Sequence, residues 1–132
     1  MSPSRIALAL RHVHFEDCGT LADVLRERGF EIRYVEAGRE NLRDLDVTTL
    51  LASTEQVAQQ VFSWERFVLG LQCHPEVRHE DFESWLIGHA NEIAAASNAS
   101  VEQLRKDTQY YGPTLAACAK QAFTDWLASV GL

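Results

Sequence analysis

Five consecutive apolar residues, Ile6-Ala7-Leu8-Ala9-Leu10, set the first pattern in the chain. An unbroken run of this kind predicts a strand covered on both faces. Arg11 to Gly19 is polar and reads as a loop. Thr20 then predicts a helix start, with Asp23 three residues on in the manner of a capping box. Leu21, Val24 and Leu25 follow at helical spacing, and Gly29 marks the stop. From Phe30 to Val35 the period changes to two: Phe30, Ile32 and Tyr34 alternate with Glu31 and Arg33, as in a strand. Strand, helix and strand in about 30 residues form a βαβ unit, with parallel strands and a right-handed crossover.

Beyond Ala37-Gly38 the pattern loosens. Arg39 to Asp46 reads as a charged loop. Thr48 to Ala52 and Gln60 to Trp64 are short β-prone pieces, and Arg66 to Gln72 is a stronger strand. The three predict a meander or hairpin set. The C-terminal part is helical. Phe82, Trp85, Leu86, His89 and Ile93 share one helix face, with Glu80, Asp81 and Glu83 favouring its N-terminus through the dipole. Ser100 and Gln103 resemble a capping box that opens a short helix to about Tyr110. Gly112-Pro113 predicts a new, last helix with proline in its first turn. The apolar stripe of that helix is Leu115, Ala119, Ala122, Phe123, Trp126, Leu127 and Val130, and Gly131 ends it. Trp64, Trp85 and Trp126 fall on apolar faces and read as core.

Composition narrows the class. A chain of 132 residues, 46% apolar and 23% charged, is expected to form one globular domain over residues 1–132. A net charge of −7 without a Lys/Arg cluster argues against nucleic acid as a partner. The apolar run near the N-terminus is too short for a signal-peptide core or a membrane span, so the expected setting is cytoplasmic, with no membrane partner. Three widely spaced cysteines, Cys18, Cys73 and Cys118, suggest neither a disulfide framework nor a zinc knuckle.

The stretch with most chemistry is Arg66-Phe67-Val68-Leu69-Gly70-Leu71-Gln72-Cys73-His74-Pro75-Glu76-Val77, a strand that runs into a His-Pro-Glu turn. Pro75 keeps His74 out of the helical region. His74 and Glu76 are two apart, so in a near-extended chain both side chains project to one side. An imidazole that takes a proton and a carboxylate that orients it make a base pair of the kind used in nucleophilic catalysis. A plain strand cap is the alternative reading of such a turn.

Gly70-Leu71-Gln72-Cys73-His74-Pro75-Glu76 resembles the Gly-x-Gln-x-His-Pro-Glu segment that ends the catalytic domain of class I glutamine amidotransferases. The N-terminal stretch Arg11-His12-Val13, Phe15-Glu16-Asp17 and Gly19-Thr20 resembles the first loop of the GMP-synthase-like members, and Glu83 to His89 with the last helices resembles their tail. The resemblance implies a reduced flavodoxin-like α/β fold with C-terminal helices. It also implies glutamine as the parent substrate and a Cys-His-Glu triad of which His74 and Glu76 are the catalytic pair. No cofactor follows from it. The family's Gly-x-Cys-x-Gly nucleophile elbow and its Gly-rich oxyanion turn do not occur here. Asp44 to Leu51 joins the two similar blocks directly, which reads as an internal deletion. Cys73 is expected to point away from His74 and pack under the sheet. Cys18 lies in the loop after the first strand without an elbow, and Cys118 falls between apolar positions of the last helix, as core or boundary. His12 and His14 with Asp17 have a spacing that can share a metal, but zinc takes three or four protein ligands and no second cluster completes the set. They read as polar loop residues. Loss of the central strands is expected to leave apolar surface and an open sheet edge, so the second functional reading is a non-catalytic interaction module or homo-oligomer.

Overall fold

The computed structural model describes residues 5–36 and 49–132, and the charged segment Arg39–Asp46 with most of the block junction lies outside them. The chain is a mixed α/β protein. Strand β1 (Arg5–Arg11), helix α1 (Gly19–Glu27) and strand β2 (Phe30–Glu36) form the expected unit, and β1 pairs with β2 in parallel from Arg5↔Phe30 to Arg11↔Glu36. Strands β3 (Thr49–Ala52), β4 (Val61–Trp64) and β5 (Val68–Leu71) make a separate antiparallel sheet in the order β3-β4-β5. A 3₁₀ turn (His79–Asp81) leads into α2 (Phe82–Gly88), α3 (Ala90–Ala95) and the long α4 (Val101–Ser129). Among the described residues no helix is long and apolar enough to cross a membrane.

The core forms where α1 and α4 meet. Val24 and Leu25 from α1 pack with Ala119, Phe123 and Leu127 from α4. Ala7 and Ile32 come to this cluster from the parallel pair, and Leu69 and Leu71 come from β5. The α1–α4 cluster is therefore where residues of both sheets converge. Two polar links tie the C-terminal part of α4 to α1 and to the β4–β5 turn: Lys120 Nζ donates to Glu27 Oε1 at 3.0 Å, and Arg66 Nε donates to the Val130 carbonyl at 3.1 Å.

Several expectations change. β1 is not covered on both faces: Ile6, Leu8 and Leu10 are exposed while Ala7 and Ala9 turn inward. Among the described residues the parallel sheet has two strands, and one of its faces is left exposed. Thr20 is not the cap of α1. Cys18 holds that position, Gly19 begins the helix with φ +39°, and Thr20 is buried inside it. The face drawn through Phe82 and Ile93 is split at His89 into α2 and α3, and of its residues only Trp85 and Leu86 are buried. Finally, Gly112-Pro113 does not start a helix. α4 runs straight through it from a cap at Ser100, whose Oγ accepts from Gln103 N–H at 3.2 Å. An internal proline costs about 3 kcal/mol, and tertiary packing offsets it: Gly112 is buried against His79, and the Ala119–Leu127 face is buried farther along. Leu115 and Ala122 of the predicted stripe are exposed, so the buried stripe is narrower than its sequence pattern. Of the three tryptophans Trp85 is buried, and Trp64 and Trp126 are half-buried.

Candidate functional site

The strand-to-helix turn after β5 brings His74 and Glu76 together as their spacing predicts. His74 Nδ1 lies 2.8 Å from Glu76 Oε1. The two side chains differ in exposure, 42% for His74 and 9% for Glu76. Burial of the carboxylate leaves its Oε2 without a hydrogen-bond partner among the described residues. The imidazole packs edge-on against the Trp85 ring, with centroids 4.7 Å apart. The bond to Glu76 holds the His74 pKa above its ordinary value, against the opposing effect of burial, and the charges of Glu76 and Glu16 act in the same direction.

The backbone of this turn is fixed from the far end of the sequence. Thr20 N–H donates to the Glu76 carbonyl at 2.7 Å, and Arg78 Nη2 donates to Asp23 Oδ1 at 2.6 Å. Both bonds join the start of α1 to the turn. The loop after β1 covers the other side. Phe15 contacts the rings of Trp85 and His89, and His89 Nε2 lies 3.5 Å from Glu16 Oε1. These neighbours were not marked by the sequence pattern of the turn. Phe15, a lone aromatic in a polar loop, was the one visible signal.

His74 borders a half-open cleft of about 330 Å³ between the turn, α2 and α4. Phe82, Trp85 and Leu115 make it largely apolar, and His79 and Asp107 bring polar groups to its wall. With Nδ1 engaged by Glu76, the Nε2 edge of the ring is the one left for proton exchange. A pair in this geometry can act as a general base with an orienting carboxylate.

No nucleophile among the described residues is placed for it. Among the described residues no thiol or hydroxyl hydrogen-bonds to the His74 ring. Cys18 lies within the field of Glu76. Burial pushes its thiol pKa up, and Glu76 and Asp17 push it further, while Tyr34 and Arg11 oppose the rise. A reactive cysteine needs the opposite shift. Cys73 is half-buried with Sγ 3.8 Å from the Gln60 carbonyl, and burial raises its pKa too. Cys118 is exposed on α4, not in the core or at its boundary, because it lies one residue, and so about 100° of helix, before the buried Ala119. His12 and His14 are exposed, and among the described residues no three His, Cys, Asp or Glu side chains are grouped to hold a metal ion.

No protein-family model matches the sequence, and no curated protein matches it. The site is therefore read from its own geometry.

One consequence is measurable by pH. The His74 pKa is raised in the folded state above the unfolded value of about 6.5. The pairing contributes its full stabilisation below the unfolded value and loses it as pH rises through the folded one. Glu76→Gln removes the cause of the shift. The His74 midpoint, followed by NMR of the ring protons, should fall in that variant. Its stability deficit should be larger at pH 5.5 than at pH 8.5. An unchanged midpoint would show that Glu76 does not set the charge of His74.

Proposed function

We propose that this chain is an internally shortened relative of the class I glutamine amidotransferases, of GMP-synthase type, that keeps the His-Glu pair and has lost glutaminase turnover. The observation that carries the reading is the 2.8 Å contact between His74 Nδ1 and Glu76 Oε1 in a strand-to-helix turn, with no partner nucleophile beside it among the described residues. The parallel β1-α1-β2 unit beside this turn supports a reduced flavodoxin-like architecture. Glutamine hydrolysis by this family's route needs a thiolate to attack the amide carbon and a base to carry the proton to the leaving ammonia. Here the base is present, and burial, reinforced by the charge of Glu76, raises the thiol pKa of Cys18 and of Cys73.

Purified chain incubated with glutamine should release ammonia no faster than buffer, and His74→Ala should change nothing. Release above background that His74→Ala abolishes would overturn the inactive reading.

A second reading, that of a non-catalytic interaction or oligomerisation module, is favoured by one specific feature. Ile6, Leu8 and Leu10 form an exposed apolar row on a parallel sheet.

A further inference from the structure

The register of β1 and β2 sets Ile6 beside Glu31, Leu8 beside Arg33 and Leu10 beside Val35. Side chains alternate across a strand, so these six share one face, and Ala7 and Ile32 point to the core from the other. Leu8 is 73% exposed, Leu10 49% and Ile6 44%. Parallel strands are as a rule covered on both faces. Beside the apolar row stands one ion pair, Arg33 Nε to Glu31 Oε1 at 2.9 Å.

We propose that a second copy of this chain covers this face, sheet against sheet, about a twofold axis. The inference rests on the interaction-module reading and deepens it by naming the surface and the occupant. The argument for self-pairing is charge. A twofold interface must be complementary to itself, and here one acid and one base lie side by side on β2. Consider an axis that runs across the strands, midway between the level of Ile6 and Glu31 and that of Leu8 and Arg33. It seats Ile6 of one copy over Leu8 of the other, and Glu31 of one copy over Arg33 of the other. Each contact occurs twice. The two apolar rows meet in the middle, and the two crossed ion pairs lie to one side. Facing sheets pack in this way at a spacing of about 10 Å with strands nearly aligned. A partner surface of a single charge sign would instead place one of Glu31 and Arg33 opposite a like charge. The chain's net charge of −7 disfavours close approach of two copies, so association should strengthen as salt screens that repulsion.

Sedimentation velocity of the full chain tests the proposal. The wild-type chain should run as a dimer at micromolar concentration. Leu8→Asp should be monomeric with an unchanged circular dichroism spectrum, since Leu8 lies outside the core. Arg33→Glu should weaken the dimer by about tenfold or more, because like charges then face across the axis. The double variant Glu31→Arg with Arg33→Glu should restore it. A dimer that survives both Leu8→Asp and Arg33→Glu would overturn this face while leaving self-association standing. A wild-type monomer would overturn both. Failure of the double variant to recover association would overturn the crossed ion pairs.

Discussion

Gly19→Ala is expected to destabilise the chain by about 2–5 kcal/mol, from left-handed backbone strain plus overpacking, and to dismantle the His74–Glu76 turn. Gly19 has φ +39°, in the region that L side chains disfavour. The cost of space is larger than the cost of conformation. A methyl group at this position overlaps the Glu76 carbonyl oxygen and comes within 2.9 Å of its carbon. Neither neighbour is the end of a flexible side chain. That same carbonyl accepts the Thr20 N–H at 2.7 Å. The methyl therefore forces apart the two backbones that this bond holds together, and Glu76 moves with its own carbonyl. Denaturant titration should show the loss, and the His74 midpoint should fall toward about 6.5 as the carboxylate leaves the ring. Gly29→Ala is the control. Gly29 also has positive φ, +79°, but a methyl there meets nothing within 4 Å. Its cost should be backbone strain alone, about 1–2 kcal/mol. Equal losses in the two variants would show that the close approach to Glu76 carries no weight.

Gly19 also illustrates how far the sequence could be read. The His74–Glu76 pair was legible because its cause is local: an extended chain and a spacing of two. Its supports were not. Gly19, Thr20 and Asp23 reach the turn from more than fifty residues away, and nothing in a polar loop after a strand announces which backbone it will touch. The βαβ unit was legible for the same local reason, since the shift from period 3.6 to period two is written over β2 itself. The exposure of β1 was not. An apolar run reports that its residues can be buried, not how many strands and helices arrive to bury them. Here the small Ala7 and Ala9 face the core, and the larger Ile6, Leu8 and Leu10 are left outside. Gly112-Pro113 was misread because the local rule is correct and was outweighed. The proline does remove a helical bond, but Gly112 gives the His79 side chain room to pack against the helix, and the buried face from Ala119 to Leu127 holds the next turns in line. The break at His89 between α2 and α3 directly follows Gly88, but that glycine does not have the positive φ of a glycine helix stop. Phe15 packs there against the His89 ring, and a methyl at Gly88 would run into the Phe15 ring. That break is set by tertiary contact.

Phe123→Ala should lower stability by about 3–5 kcal/mol, the range for deleting a buried aromatic ring, which is a large share of the roughly 5–15 kcal/mol available to a domain of this kind. Phe123 is 3% exposed at the centre of the cluster where α4 meets α1. It also walls an apolar cavity of about 390 Å³ between α4 and the antiparallel sheet, opposite Val61, Leu69 and Leu71. Removing the ring joins its own volume to that space, so the atoms facing it lose dispersion contacts that no neighbour replaces. Residues of both sheets pack against this cluster, and the loss should be felt in both. Thermal unfolding should remain a single transition at a lower midpoint, with the His74 ring signals lost in the same step. Leu115→Ala tests the assignment of the core on the same helix. Leu115 belongs to the same sequence stripe but is 45% exposed at the edge of the His74 cleft. Its truncation should cost within about 1 kcal/mol, as expected away from the core. Similar losses for the two would mean that the stripe is buried along its whole length and that the cleft beside His74 is closed.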